Sequence, residues 1–183
     1  TVPIYPTLIE SQCRFILANS EAKVAIVSTA EQAAKVRAMR GDLPALRAVI
    51  AMDPLRDAAD VTAFAAVIER GRTARDAAPG AFRAAALEVR ADEVATIIYT
   101  SGTTGEPKGA ILTHGNIASN VAACLAIVPI GPGDTCLSFL PLSHIFERMG
   151  GLYAMLQGGA TIAYAQSLDT VVADALDVRP TLL

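Results

Sequence analysis

The sequence predicts an α/β fold in which a mostly parallel sheet is flanked by helices. Three observations carry that expectation. Short β-type runs alternate with helically spaced apolar patterns along the chain. Hydrophobic residues make up 52% of the 183, which is too many for intrinsic disorder and enough for one core, since a chain of this size buries roughly 70% of its unfolded surface. Finally, a polar, Gly-rich stretch lies between two β-type runs at residues 94–100 and 110–113. It predicts a β-hairpin with a loop at its tip.

The elements follow in order. Residues 2–5 read as a strand ended by Pro6, and residues 8–19 place Leu8, Ile9, Phe15 and Ile16 at helical spacing. Residues 23–28 form a buried strand. Thr29 is an N-cap for a helix over 30–39, closed by Gly41 and Pro44. A strand over 48–52 precedes a helix over 61–70, with Asp60 as its cap and Gly71 as its terminator. Residues 71–93 read as a linker or excursion, Arg- and Ala-rich, with one helix near 82–87. After the hairpin come a helix of about a dozen residues from Asn116, a strand over 135–140 and a helix over 145–156. The apolar stripe Ile145, Met149, Leu152 and Leu156 on that last helix is expected to face the core. A strand over 160–164 and a helix over 170–177 complete the pattern, and residues 180–183 read as the start of another apolar strand. The division expected is 1–70, 71–93 and 94–183.

Composition excludes several classes. The net charge is -3, so no basic surface for nucleic acid is expected. Mean hydropathy is positive at +0.42, but the plainest apolar run, residues 121–130, is too short to span a bilayer and contains Pro129. The three cysteines, Cys13, Cys124 and Cys136, form no CxxC pair, which argues against a disulfide framework or zinc site. Reduced, mostly buried thiols are expected, with a cytoplasmic placement; peripheral membrane association and oligomeric state are left open. The chain opens at Thr1 without a basic, apolar leader and is expected to be part of something longer.

The chemistry is concentrated in residues 99–109, Tyr-Thr-Ser-Gly-Thr-Thr-Gly-Glu-Pro-Lys-Gly. Thr100, Ser101, Thr103 and Thr104 supply hydroxyls, Gly102 and Gly105 allow backbone N–H groups to converge on an anion, and Lys108 supplies a mobile positive charge. Such hydroxyls can also ligate Mg²⁺. The stretch is not a Walker loop: from Gly102 the required second glycine falls on Pro107, and from Gly105 it falls on Ala110. A plain turn would account for the glycines and threonines but not for the Pro-Lys-Gly that follows.

This string resembles the phosphate-binding signature of the adenylate-forming (AMP-binding) superfamily, with Glu106 at its variable position. Residues 138–148, Ser-Phe-Leu-Pro-Leu-Ser-His-Ile-Phe-Glu-Arg, are similar to a stretch typical of long-chain fatty acyl-CoA synthetases, as are residues 2–7 and 178–181. The resemblance implies part of a larger N-terminal domain whose hairpin carries the phosphate loop. It implies an ATP-dependent ligase that activates a fatty carboxylate to acyl-AMP with loss of pyrophosphate, then forms acyl-CoA. ATP, Mg²⁺ and coenzyme A would be used. Thr100, Ser101, Gly102, Thr103, Thr104, Gly105 and Lys108 would contact phosphates, with Thr100 the first choice for the metal and Thr103 the second. Lys108 and His144 would be the catalytic residues, His144 bordering the acyl and adenylate pocket. A helix-start histidine with a local hydrogen bond is the alternative for that position. Glu147 and Arg148 are expected as a structural or surface ion pair, and the Gly150-Gly151 pair as room for close packing against the loop or an acyl chain. No lysine follows Lys108, so the segment alone is expected to be inactive. Two other readings stay open, an adenylating enzyme that loads a carrier protein and a non-catalytic nucleotide-binding module.

Overall fold

A computed structural model describes residues 1–56, 58–100 and 107–183. It is an α/β structure, and its described strands form three small sheets.

The first sheet joins β1 (Val24–Val27), β2 (Ala48–Ala51) and β3 (Thr62–Ala63) in parallel, with Val24 opposite Ala48 and Ile50 opposite Thr62. Parallel neighbours need a crossover, which α2 (Ala30–Ala38) supplies between β1 and β2. Thr29 caps α2 as expected, its hydroxyl accepting the Gln32 N–H at 3.3 Å. On one face α1 (Glu10–Asn19) and α2 close a core of Cys13, Leu17, Ala25, Val36, Met39 and Val49. Full burial of a side chain such as Val49 or Met39 contributes about 1.5–3 kcal/mol. Strand alternation turns Val24 and Ile26 to the other face, where they remain exposed.

Three local expectations are corrected. Residues 2–5 form no strand, because Pro3 and Pro6 have no N–H to give to a ladder. Asp60 does not cap a helix; its carboxylate accepts the Arg37 Nε–H at 2.8 Å, and β3 intervenes. The helix begins later and runs longer, as α3 (Phe64–Ala77), with Gly71 inside it rather than ending it. A second helix, α4 (Ala81–Leu87), follows, and neither buries a residue.

The second sheet is the hairpin. β4 (Val94–Thr100) pairs antiparallel with β5 (Lys108–Thr113), which starts two residues earlier than the sequence pattern suggested. Thr113 then caps α5 (His114–Ile127). Its hydroxyl accepts the Asn116 N–H, and the Asn116 side chain accepts the Thr113 N–H at 3.0 Å. The third sheet pairs β6 (Thr135–Ser138) with β7 (Thr161–Tyr164) in parallel, and Leu182 bridges to the other edge of β6 at Cys136.

Between β6 and β7 runs one continuous helical stretch of three parts: α6 (Ile145–Glu147), a π-helical segment (Arg148–Ala154) and α7 (Met155–Gly158). The wider π turn changes which residues face inward. Glu147, Gly151, Ala154 and Met155 are buried, whereas Leu156 of the expected apolar stripe is 62% exposed. The last helix, α8, covers Val171–Val178. Among the described residues, no helix is long and apolar enough to cross a membrane.

Candidate functional site

The site is built from the tip of the hairpin downward. The last register pair is Thr100 opposite Lys108, so these two residues close the mouth of the loop. Directly opposed residues share a face of the sheet, which puts the Thr100 hydroxyl and the Lys108 ammonium on the same side. Both are exposed. The expected phosphate contacts at Ser101, Gly102, Thr103, Thr104 and Gly105 lie outside the described residues, and so does the alternative metal ligand Thr103.

Alternation assigns the two faces of the hairpin. Thr96, Ile98 and Thr100 share one face with Lys108, while Ile97, Tyr99 and Gly109 share the other. The second face is pinned to α1. The Tyr99 hydroxyl donates to Asn19 Oδ1 at 2.6 Å, and the Phe15 ring meets the Tyr99 ring edge-on, centroids 6.4 Å apart. Partial burial there raises the Tyr99 hydroxyl above its ordinary pKa.

The first face meets the helical stretch after β6. Thr96 is fully buried, and its hydroxyl accepts a hydrogen bond from an Arg148 Nη at 3.1 Å. The Nε–H of the same guanidinium donates to the Leu142 carbonyl at 3.2 Å. Beside it, Glu147 is buried and accepts the Ser138 hydroxyl of β6 at 2.5 Å. The expected Glu147–Arg148 ion pair is therefore corrected. Residues i and i+1 on a helix diverge rather than face one another, and each finds a partner on a different strand. At the glycine pair, a Cβ on Gly151 would stand 2.7 Å from Glu147 Cδ, so this glycine makes room for that carboxylate, while a Cβ on Gly150 would meet nothing within 4 Å.

His144 occupies the N-cap of α6 and is exposed; its Nδ1 accepts the Phe146 N–H at 3.2 Å. With Nδ1 accepting, the neutral ring carries its proton on Nε2. The turn that precedes it is closed by the His144 N–H donating to the Pro141 carbonyl at 2.8 Å. The other histidine, His114, is the first residue of α5.

Among the described residues, no group of three or more His, Cys, Asp or Glu is placed to hold a metal. The Thr100 hydroxyl is a single neutral oxygen. That donor set fits Mg²⁺ arriving with a nucleotide, because this ion keeps most of its shell as water and phosphate oxygens and takes few protein ligands.

The model of the AMP-binding enzyme family matches residues 1–183. The chain belongs to that AMP-binding family. Over its whole length it is 34% identical to the long-chain-fatty-acid–CoA ligase FadD15 of Mycobacterium bovis, across 30% of that protein. It is 31% identical to the peroxisomal long chain acyl-CoA synthetase 6 of Arabidopsis thaliana, across 26% of that protein. This AMP-binding chain thus spans less than a third of the curated relatives it matches. The fold is shared with a solved structure: the anthranilate CoA ligase AuaEII, in complex with anthranoyl-AMP, superposes with a TM-score of 0.81 over 98% of this chain and 34% of that one, at 21% identity.

The sequence located the hairpin and His144 but missed Thr96, Ser138 and the true partners of Glu147 and Arg148. A usable signal was present. A hydroxyl residue at an inward strand position, such as Thr96, needs a polar partner when buried.

Proposed function

We propose that the complete protein is an ATP-dependent, AMP-forming long-chain fatty acyl-CoA ligase, and that this chain is the part of it that grips the ATP phosphates. The fatty carboxylate would attack the α-phosphorus of ATP, forming acyl-AMP and expelling pyrophosphate. The CoA thiol would then displace AMP to give the thioester.

The observation that carries this reading is the Thr100–Lys108 pair at the mouth of the loop. The hard part of the first step is charge, since an anionic carboxylate must approach an anionic triphosphate. Lys108 sets a positive charge on the face that also carries the Thr100 hydroxyl, and the loop hydroxyls and backbone N–H groups hold the departing pyrophosphate. Mg²⁺ arriving with the nucleotide would neutralise phosphate charge, and the Thr100 hydroxyl would be one of its ligands. His144 orients the substrate carboxylate from the start of α6. The division into residues 1–70, 71–93 and 94–183 belongs to the same reading, with the chemistry in the last part.

Replacing Lys108 by Ala in the complete protein tests it. Fatty-acid-dependent exchange of labelled pyrophosphate into ATP is expected to fall by roughly 100- to 1,000-fold, the loss seen when one preorganised electrostatic donor is removed. An undiminished rate and ATP affinity would overturn the reading. These 183 residues alone are expected to show no exchange with any fatty acid.

A further inference from the structure

The two halves of the candidate site come from separate stretches of chain. Thr100 and Lys108 stand at the tip of the hairpin, and His144 stands at the start of α6. One guanidinium touches both supports. Arg148 holds the carbonyl of Leu142, two residues before His144, and the hydroxyl of Thr96, on the same hairpin face as Thr100 and two inward positions from it, with Ile98 between. Thr96 is fully buried, so its hydroxyl and the guanidinium that meets it are held by packing rather than by solvent. The flank of this contact is locked too, because the neighbouring Glu147 is tied to Ser138 on β6. No other feature of the described residues joins the hairpin face bearing Lys108 to the His144 turn by side-chain hydrogen bonds.

We infer that Arg148 is a positioning residue that sets the distance between the carboxylate-orienting turn at His144 and the phosphate-gripping tip at Thr100 and Lys108. The inference rests on the proposed adenylation activity. A planar, rigid fork can hold two acceptors in fixed directions at once, which a lysine ammonium on a flexible stem cannot do. Adenylation needs the carboxylate oxygen and the α-phosphorus in near-attack geometry, and a misplacement of about 1 Å can cost on the order of 100-fold.

The test uses the complete protein and five variants. Arg148→Lys is expected to lower the rate of acyl-adenylate formation at saturating ATP and fatty acid by roughly 10- to 100-fold, while ATP affinity stays within about twofold. Thr96→Val, which keeps shape and removes the acceptor, is expected to move the same rate in the same direction, and Thr96→Ser to restore it. The double variant Arg148→Lys with Thr96→Val is expected to be no worse than Arg148→Lys alone, since both remove one link. A wild-type saturated rate in Arg148→Lys, or equal losses in Thr96→Val and Thr96→Ser, would overturn the inference. The same holds for variants that lose thermal stability with the rate intact, which would make the link merely structural. Lys108→Ala separates the two claims. If it is impaired and Arg148→Lys is not, only the positioning role fails; if Lys108→Ala is undiminished, the adenylation reading fails and the positioning role with it.

Discussion

Gly109 lies against the ring of Tyr99, its partner across the hairpin. A β-carbon at Gly109 would stand 3.1 Å from Tyr99 Cζ and 2.9 Å from Ile97 Cγ2. The tyrosine thus folds over the opposite strand while its hydroxyl reaches Asn19. The bare backbone at Gly109 lets one side chain seal the hairpin and bind it to α1.

Gly109→Ala is expected to destabilise the chain by about 1–3 kcal/mol, because neither Ile97 Cγ2 nor the ring can yield without leaving its contact. Tyr99→Phe keeps the ring and loses only the bond to Asn19, so a smaller loss of about 1 kcal/mol is expected. Denaturant unfolding of both variants provides the check. A Gly109→Ala protein as stable as its parent would mean the ring is not held where the structure puts it.

Acid should weaken the fold through carboxylates that are better bound in the folded chain than in the unfolded one. The Arg37 side chain holds Asp60 below its ordinary 3.8. The Gly131 N–H, at 2.9 Å, and then the Thr181 hydroxyl do the same for Asp134. A carboxylate with a depressed folded pKa stabilises above its unfolded value and loses that contribution as the pH falls through the folded one. The expected loss therefore sets in below about pH 4. Asp134→Asn should flatten this part of the stability profile, read by circular dichroism across pH 2–5, a range chosen to bracket ordinary carboxylate values. An unchanged acid limb in that variant would count against the assignment.

The three thiols should differ in reactivity. Cys124 is exposed on α5, whereas Cys13 and Cys136 are buried. Burial raises the Cys13 thiol, with Lys35 partly opposing it, and burial together with the Glu147 charge raises Cys136. Iodoacetamide at mildly alkaline pH is expected to modify Cys124 at least roughly tenfold faster than the other two. Peptide mass mapping over time would show it, and comparable rates at all three sites would contradict the burial described.

Most of the element order was legible because it depends on neighbours in sequence. Thr29 announces α2, since a cap and its N–H partner lie three residues apart, whereas the cap at Thr113 went unread and α5 begins two residues before Asn116. The hairpin was legible from two β-type runs around a Gly-rich stretch. Less legible were features set by distant parts of the chain. Asp60 looks like a cap until Arg37, 23 residues away, claims its carboxylate. Arg148 looks like half of a surface pair until Thr96, 52 residues away, supplies the acceptor. Glu147, the last residue of α6, lies in the interior, where the Ser138 hydroxyl rather than Arg148 is its partner. At the candidate site, the motif pointed to Thr100 and Lys108 by residue type; their shared face follows only from the register of the two strands.

The α3–α4 excursion contributes no buried side chain among the described residues, and the turn at Pro79 and Gly80 between its helices is exposed, so an insertion there disturbs the least packing. A fluorophore or affinity handle grafted near Pro79 and Gly80 would report on the molecule without disturbing the hairpin that carries Thr100 and Lys108.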